Sequence, residues 1–232
     1  SVRISLLKGG TFLVKDKTQS IEIVHKKRFE FYLQNINTRL NHISYEYMLD
    51  AIKINPGDTI VDCGANIGEL FLSIKQNHQE DIKYYGFEPA PREYNVLNNN
   101  SKNLVKKPLA LSADSEERKF YVRSKTADSS FEVDRNQKEI IVECKSIDEY
   151  FKEVNTIALL KLEAEGYELD VLLGASKSLS KIKYITADLG FELENNTKRS
   201  FDSVNKFLQT NSFELLSSTK RLTYLYKNLK HS

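Results

Sequence analysis

Four acidic residues stand where predicted β-strands end: Asp62, Glu88, Glu163 and Asp188. The strands are short apolar runs that alternate along the chain with helical patterns, as in βαβ units with a parallel sheet. The carboxyl ends of parallel strands meet at one edge of the sheet, and ligands bind there. A single carboxylate at such a place is ordinarily solvated or caps the next helix. Four of them repel one another, so their convergence predicts a ligand site.

The turn after the first of these strands has the sequence Asp-Cys-Gly-Ala-Asn-Ile-Gly, residues 62–68. Gly64 lets the backbone turn tightly out of the strand. Gly68 lets the following helix approach the sheet, which leaves helix-terminal N–H groups facing a ligand. Ala65 and Asn66 take the place of the middle glycine in the Gly-x-Gly-x-x-Gly pattern that binds a pyrophosphate. The turn therefore indicates a ligand without a diphosphate.

Glu88 ends the second strand, 24 residues after Gly64. A carboxylate at this position accepts hydrogen bonds from both hydroxyls of a ribose. A ribose site without a pyrophosphate site indicates S-adenosylmethionine as the cofactor. The alternative is that Glu88 caps the helix that begins near Pro89 and Pro91.

Lys161 lies in an otherwise apolar strand and alternates with Glu163 and Glu165. Strand geometry places Lys161 and Glu163 on the same face, and a buried lysine needs a partner. One interpretation is an ion pair that only neutralises itself. In the other, Glu163 or Glu165 faces the substrate and Lys161 orients it. Glu163 is then the first candidate for the base, with Glu165 and Asp188 as reserves. His42 is a weaker candidate, since a lone histidine before a helix is usually a surface residue.

These carboxylates suit a particular reaction. Methyl transfer from a sulfonium to a hydroxyl needs the sulfur, the methyl group and the acceptor oxygen in line, and it benefits from a base near the oxygen. The carboxylates supply such a base. They would also suit a divalent metal ion, although no spacing of His and Asp ligands requires one.

The composition limits the kind of protein. The chain has 232 residues, of which 40% are hydrophobic and 28% charged, as expected for a folded domain. No run approaches the ~18 apolar residues of a membrane-spanning helix, and no basic-then-apolar leader opens the sequence. Two cysteines, Cys63 and Cys144, exclude a disulfide scaffold and favour a reducing, cytoplasmic location. A net charge of +2 without a basic aromatic stripe argues against a nucleic-acid partner.

The remaining patterns predict the elements around the acidic edge. They are a hairpin at 11–14 and 21–24, an amphipathic helix at 29–54, a third strand at 105–111, strands at 119–122 and 140–142, and a closing hairpin at 213–216 and 222–226. Polar residues 124–138 predict a loop that covers the acceptor. Ser146, with Glu149 three residues later, predicts a capped helix. The patterns together predict a three-layer α/β fold with a mostly parallel sheet and at least one antiparallel edge strand.

Several ordered motifs resemble the FkbM family of S-adenosylmethionine-dependent methyltransferases. They are Asp62-Cys-Gly-Ala-Asn-Ile-Gly68, Gly86-Phe-Glu-Pro89, Asn98–Asn100, Ala110-Leu-Ser112, Lys161-Leu-Glu-Ala-Glu-Gly166 with Glu168, and Leu172-Leu-Gly174. The resemblance spans residues 46–190. It implies a Rossmann-like class I methyltransferase fold with a seven-stranded sheet over residues 46–232, on which residues 1–45 pack. It also implies O-methylation, often of sugars, glycans or polyketide-type natural products.

The resemblance assigns the cofactor-binding residues by position. Glu88 would hold the ribose, as its place after the second strand also predicts. The methionine part of the cofactor would be surrounded by residues of the first turn: Asp62, Gly64, Ala65, Asn66 and Gly68.

The adenine would be framed by Ala110, Leu111 and Asp114. The sequence departs from the family pattern in two places. Glu163 stands where the family usually has an aspartate, so the carboxylate is carried one methylene further. Asp114 comes one residue later than the usual acid after Ala-Leu-Ser.

Two other functions remain open. A catalytically silent protein with this fold would bind a partner or a carbohydrate, although acids at all four strand ends argue against it. An NAD-dependent oxidoreductase has a similar sheet, but the missing middle glycine disfavours it. The sequence therefore favours an S-adenosylmethionine-dependent O-methyltransferase that acts on a small molecule, sugar or glycan.

Overall fold

The structure is a computed structural model that describes residues 1–77, 81–101, 105–122, 138–190 and 200–231. Of the loop predicted at 124–138, residues 124–137 lie outside the described residues. In the described parts of the chain, no helix is both long enough and apolar enough to cross a membrane.

The strands and helices alternate along most of the chain. The strands are β1 (Arg3–Leu6), β2 (Phe12–Lys15), β3 (Ser20–Ile23), β4 (Thr59–Cys63), β5 (Lys83–Phe87), β6 (Val105–Lys107), β7 (Leu109–Leu111), β8 (Glu117–Val122), β9 (Lys138–Lys145), β10 (Ile157–Leu162), β11 (Ile182–Asp188), β12 (Phe213–Ser218) and β13 (Thr223–Asn228). The α-helices are α1 (Ile36–Glu46), α2 (Glu69–Asn77), α3 (Pro91–Asn100), α4 (Ile147–Tyr150), α5 (Glu168–Leu173) and α6 (Ser200–Thr210). Short 3-10 helices cover Lys26–Tyr32, Leu49–Ala51, Leu179–Lys181 and Leu229–His231.

The central sheet of the described residues has seven strands in the order β12-β13-β11-β10-β4-β5-β6. The pairs from β11 through β6 are parallel, whereas β13 is antiparallel to both of its neighbours. The predicted antiparallel strand therefore lies one place in from the edge, because its hairpin partner β12 pairs on the outside. The strand order reverses between β4 and β10, and such a reversal opens a crevice at the carboxyl ends of the strands.

Helices cover both faces of this sheet, which gives the three predicted layers. Ile60 and Leu159 point to one face, in a buried cluster with residues of α1 and α2. Their chain neighbours Val61 and Leu160 point to the other face, in a cluster with residues of α5 and α6. The alternation follows from the two-residue repeat of a strand, and strands buried on both faces explain the continuous apolar runs in the sequence.

The prediction of a single strand at 105–111 is wrong. The segment is divided at Pro108 into β6, which pairs with β5, and β7, which pairs with β9. Proline has no backbone N–H for a ladder, so the strand changes partner there. The predicted strands at 119–122 and 140–142 join β7 in a separate three-stranded sheet of order β7-β9-β8.

The N-terminal segment also departs from the prediction in part. The expected hairpin is present as β2 and β3, and β1, which the sequence analysis missed, extends it to three antiparallel strands. The helix predicted at 29–54 is divided into α1 and two 3-10 helices. Asn35 begins α1 by accepting a hydrogen bond from the Thr38 amide at 2.8 Å. Met48, with φ 53°, follows the helix and turns the chain away.

Asn100 of α3 joins this segment to the first turn. Its amide nitrogen donates to the carbonyl oxygens of Glu22 and Ile67, at 2.8 and 2.9 Å, and its side-chain oxygen accepts from the Glu22 amide at 2.8 Å. These bonds place the N-terminal segment beside the carboxyl ends of the central strands.

Candidate functional site

Two adjoining cavities lie at the carboxyl ends of β4, β5 and β10. The larger has a volume of about 260 Å³ and the smaller about 100 Å³. Both are lined by five residues that we call the junction: Arg28, Gly64, Asn66, Glu163 and Arg221. The strand-order reversal between β4 and β10 lies at the same place, as expected for a ligand site in this fold.

The first turn is shaped by Gly64, whose φ of +73° favours glycine. A Cβ atom at this position would lie 2.1 Å from the carbonyl oxygen of Glu163. The amides of Gly64 and Ala65 donate to the carbonyl oxygen of Phe87, and the Asn66 amide donates to Glu88. The turn thus offers a ligand fewer N–H groups than the sequence predicted, because these three are used within the protein.

The other predicted residues of this turn differ in their access to the cavities. Ala65 and Asp62 line the larger cavity. Gly68 lines neither; an added Cβ there would lie 2.9 Å from Leu97 Cδ1. Gly68 therefore serves the close packing of the turn against α3.

Glu88 lines the smaller cavity between two backbone amides. Its Oε2 accepts from the Asn66 amide and its Oε1 from the Ala90 amide, both at 2.8 Å. In the ionised form of Glu88, each carboxylate oxygen has a second lone pair, so both can then accept from a ligand. Burial raises the pKa of Glu88 to about 8, against the opposing effect of the Ala90 and Asn66 amides. Glu88 therefore accepts a hydrogen bond from the start of α3, as the capping alternative predicted, and it also faces a cavity.

The remaining wall of the smaller cavity is largely apolar. Phe87 of β5, Ala110 and Leu111 of β7 and Phe120 of β8 form it. Phe120 was not predicted from the sequence, since only the tertiary structure packs it in a cluster with Ala90 and Ala110. Asp114 is exposed and is not among the residues that line either cavity. The structure thus brings Ala110 and Leu111 beside Glu88 but does not bring Asp114 there.

Lys161 is buried on the strand next to the first turn. Its Nζ lies 3.1 Å from Asp62 Oδ1 and 3.1 Å from Glu163 Oε2. It also donates to the carbonyl oxygens of Cys63 and Gly64, at 3.1 and 2.6 Å. Burial lowers the pKa of Lys161, but the nearby anionic groups, Asp62 first, outweigh it and raise the pKa well above its ordinary value. The predicted Lys161–Glu163 pair is present, and Asp62 extends it to three charged groups.

Two tyrosines donate hydrogen bonds to these carboxylates. The Tyr47 hydroxyl donates to Glu163 Oε2 at 2.6 Å, and the Tyr84 hydroxyl donates to Asp62 Oδ2. Burial by itself raises the pKa of Glu163. Lys161, Tyr47 and Arg221 together have a larger opposite effect and lower the pKa to about 2. Glu163 is therefore an ionised group at the junction at neutral pH.

Arg221, at the turn between β12 and β13, contacts three carboxylates from separate elements. Its Nε lies 3.2 Å from Asp188 Oδ2, its Nη1 3.1 Å from Glu46 Oε1 and its Nη2 3.5 Å from Glu163 Oε1. Burial and the Glu163 charge raise the pKa of Asp188 above its ordinary value. Asp188 is buried and lines neither cavity. Thus Asp188 meets the site only through Arg221.

A second cluster of charged side chains lines the larger cavity. Arg39 donates to both oxygens of Glu69, at 2.7 and 3.0 Å, and Arg28 donates to Glu69 at 3.1 Å. The Tyr32 hydroxyl donates to the same carboxylate at 2.5 Å. Burial raises the pKa of Glu69, but Arg39 and its other partners lower it to about 2.

Sequence reasoning missed Arg28, Tyr47 and Arg221. None lies in a recognisable motif, and they reach the site from parts of the chain far from the strand ends. Only the basic character of Arg28 and Arg221 was visible, and it did not distinguish them from other surface arginines.

The two remaining candidates lie at different places. Glu165 lines the smaller cavity with φ +51°, in a loop whose Ala164 and Gly166 amides donate to Glu168. His42 is exposed, 3.0 Å from Glu46, and lines neither cavity. In the described parts of the chain, no group of three or more His, Cys, Asp or Glu side chains is placed to hold a metal ion.

The fold and the site define a class of protein. A mainly parallel seven-stranded sheet with one reversed strand and a crevice at the reversal of strand order is the Rossmann-like architecture of class I methyltransferases. The methyltransferase FkbM domain family matches residues 62–215, and the chain belongs to this family. No curated protein matches the chain.

Solved structures with a similar fold include methyltransferase FkbM from Methylobacillus flagellatus KT, at 16% identity and a TM-score of 0.54. The match covers 87% of this chain and 57% of that protein, so this chain spans little more than half of its length. Fibrillarin from Aeropyrum pernix, solved with natively bound S-adenosyl-L-methionine, matches at 10% identity and a TM-score of 0.48, over 97% of this chain and 98% of that one. A protein of the NADB-Rossmann superfamily from Streptococcus agalactiae matches at 13% identity and a TM-score of 0.44, over 82% and 67%.

Proposed function

We propose that the protein is an S-adenosylmethionine-dependent O-methyltransferase that acts on a hydroxyl of a sugar, glycan or related natural product. The observation that carries the proposal is the position of Glu88. Its carboxylate faces a cavity at the reversal of strand order, where a ribose is bound in folds of this kind.

The residues of the smaller cavity fit the nucleoside part of the cofactor. Glu88 keeps one acceptor site on each oxygen for the two ribose hydroxyls. Phe87, Ala110, Leu111 and Phe120 offer an apolar wall suited to a planar base. Glu88 has a raised pKa because it is poorly solvated, and hydroxyl donors would replace that missing solvation.

Glu163 is the carboxylate of the junction, and it suits a positively charged group of a ligand. S-Adenosylmethionine, when bound, supplies an electrophilic methyl group on a sulfonium. Glu163 lines both cavities and is ionised, so its charge would stabilise a cation there. Lys161 and Arg221 fix the Glu163 carboxylate through ion pairs at 3.1 and 3.5 Å.

The larger cavity is our candidate for the acceptor. Five Lys or Arg residues and five carboxylates line it: Lys27, Arg28, Arg39, Lys161 and Arg221, with Glu30, Glu46, Asp62, Glu69 and Glu163. A polar lining with balanced charge favours a neutral, hydroxyl-rich acceptor over a phosphate chain, which the carboxylates would repel. This balance supports our expectation that nucleic acid is not the substrate.

Glu163 is our candidate for the base, because it lines both cavities. A pKa of about 2 makes it a weak base. Weak basicity is sufficient when the hydroxyl oxygen becomes strongly acidic as it bonds to the methyl group, so Glu163 can accept the proton late in the reaction. Glu165 lines only the smaller cavity, and Asp188 lines neither, which makes both weaker candidates.

Calorimetry with S-adenosylmethionine, its demethylated product and NAD tests the proposal. We expect the first two to bind and NAD not to bind. The Glu88→Ala variant should lose cofactor binding, whereas Glu214→Ala, an exposed change on β12, should retain it. Undiminished affinity in Glu88→Ala would overturn the ribose assignment, and preferential NAD binding would favour the oxidoreductase.

A screen of neutral sugars and glycans with S-adenosylmethionine, with nucleotide sugars as the charged comparison, then identifies the acceptor. Mass spectrometry should detect the gain of one CH₂ in a product. Cofactor binding without turnover over a broad acceptor panel would favour the catalytically silent alternative.

We also propose a cytoplasmic location. Cys63 and Cys144 are buried free thiols, and burial raises the pKa of Cys63 to about 12. Thiols kept in this state suit a reducing compartment. Localisation of a tagged full-length protein by fractionation tests this.

A further inference from the structure

Arg28 is the arginine of the junction whose hydrogen-bonding capacity is least used. In the part of the chain that the structure describes, one of its nitrogens, Nη1, is bonded to Glu69 at 3.1 Å. Arg221, in contrast, directs three nitrogens at three carboxylates. A guanidinium has five N–H donors, so Arg28 has donors left for a ligand.

Arg28 has no carboxylate partner of its own among the described residues that it contacts. Arg28 and Arg39 share the single carboxylate of Glu69, which also accepts from the Tyr32 hydroxyl. Glu46 lies 3.8 Å from Arg39 but is nearer to Arg221, at 3.1 Å. Within the described residues, Arg28 therefore shares its only carboxylate partner and can pair with a negative group of a ligand.

The position of Arg28 shows which ligand group would reach it. Arg28 lines both cavities, and its side chain is 21% exposed. A nucleoside held by Glu88 in the smaller cavity would direct its 5′ substituent through the junction, past Gly64 and Asn66. A carboxylate at the end of that substituent would meet the Arg28 guanidinium, which suits two-point binding of a carboxylate.

We propose that Arg28 binds the carboxylate of the methionine part of S-adenosylmethionine. The inference rests on the proposed function of the same site. Arg28 lies in the 3-10 helix Lys26–Tyr32, outside the residues 62–215 that match the family. The N-terminal segment therefore completes the cofactor site as well as forming a wall of the larger cavity.

The test compares two ligands, S-adenosylmethionine and its decarboxylated form, on the wild type and on Arg28→Met. Calorimetry on the full chain gives the dissociation constants without any need for turnover. We expect the wild type to bind the decarboxylated form about 10- to 100-fold more weakly, as for loss of a charged hydrogen-bonded pair. Arg28→Met should bind both ligands with about the affinity that the wild type has for the decarboxylated form. Arg28→Lys, which keeps the charge without the planar fork, should retain part of the preference.

Arg3→Met is the matched control, because Arg3 is exposed on β1 and lines neither cavity. It should keep the wild-type preference. Thermal unfolding of Arg28→Met should be close to wild type, since Arg39 and Tyr32 still bind Glu69. Equal affinity of the wild type for both ligands, or an equal loss for both in Arg28→Met, would overturn the inference while leaving the proposed function intact. Failure of both ligands to bind the wild type would overturn both.

Discussion

Lys161 and Asp62 form an ion pair between register partners of β10 and β4, with Nζ 3.1 Å from Oδ1 and side-chain exposures of 3% and 1%. The pair lies where the order of the strands reverses, and it holds the carboxylates of the site in place. Burying two charges is costly unless each is fully bonded. The contacts of Lys161 with Glu163 and two backbone carbonyls meet that condition for the cation. Asp62 accepts from Tyr84 at Oδ2, and its Oδ1 has the Lys161 ion pair.

Replacing Lys161 by methionine should destabilise the protein by about 3–5 kcal/mol, because it leaves Asp62 and Glu163 without their buried cation. Denaturant unfolding followed by circular dichroism measures the change.

The double variant with Glu163→Gln serves as the control for this prediction. It should be less destabilised than the sum of its two single changes, since the charges are coupled. Strict additivity would show that Lys161 does not act through Glu163.

Glu163→Gln should retain cofactor affinity within a few-fold and reduce turnover by about 10²-fold, the lower end of the usual contribution of a general base, because Glu163 is a weak base. The glutamine keeps the shape and still accepts from Tyr47, but it accepts a proton far less readily. Calorimetry and single-turnover assays, with Glu214→Gln as an exposed control, separate the two effects. Unchanged turnover would remove Glu163 from the role of base.

Glu88 should make the stability of the ligand-free protein fall as the pH rises from about 4.5 to 8. Its pKa is about 8 in the folded state against an ordinary 4.5, so in this window the folded state holds more protons than the unfolded state. Relative to Glu88→Gln, the wild type should lose stability on the order of 4 kcal/mol across the window. Unfolding free energies measured at several pH values test this.

Glu163→Gln is the matched comparison for the pH series. The pKa of Glu163 is about 2, so its stabilising effect is complete above its ordinary pKa of 4.5 and is lost only as the pH falls toward 2. The wild type and Glu163→Gln should therefore run parallel between pH 5 and 8. A parallel course for Glu88→Gln as well would show that Glu88 titrates normally.

Gly64→Ala should be markedly more destabilising than Gly57→Ala. Both positions have positive φ, +73° and +80°, so both changes cost about 1–2 kcal/mol of backbone strain. At Gly57 nothing lies within 4 Å of the added Cβ, whereas at Gly64 it would lie 2.1 Å from the Glu163 carbonyl oxygen. Equal losses of unfolding free energy in the two variants would contradict the close approach of β4 and β10 at the site.

Much of the fold was predictable because its signals are local. Apolar runs in β4, β5, β10 and β11 and the glycine-containing first turn marked the sheet. The division of residues 105–111 into β6 and β7 was not predicted, because periodicity does not show a change of partner strand at Pro108. The position of β13 inside the sheet depends likewise on pairing between strands distant in sequence.

The candidate site, like the fold, was predictable where its signals are local. Asp62, Glu88 and Glu163 were identified because each follows a strand whose carboxyl end must lie at one edge, and Lys161 because a buried lysine needs an anion. Asp114 was placed by analogy with a motif, and its exposure in the structure does not support that placement.

The sequence alone determined which acids stand at the strand ends and that a tight turn lies among them, since both follow from short-range pattern and backbone sterics. Tertiary structure decided how those acids are charged and bonded. Tyr47, Arg221 and Arg28 come from distant parts of the chain. Only folding brings Tyr47 and Arg221 close enough to lower the pKa of Glu163, and Arg28 close enough to lower that of Glu69. Such long-range contacts produce no periodic pattern in the sequence.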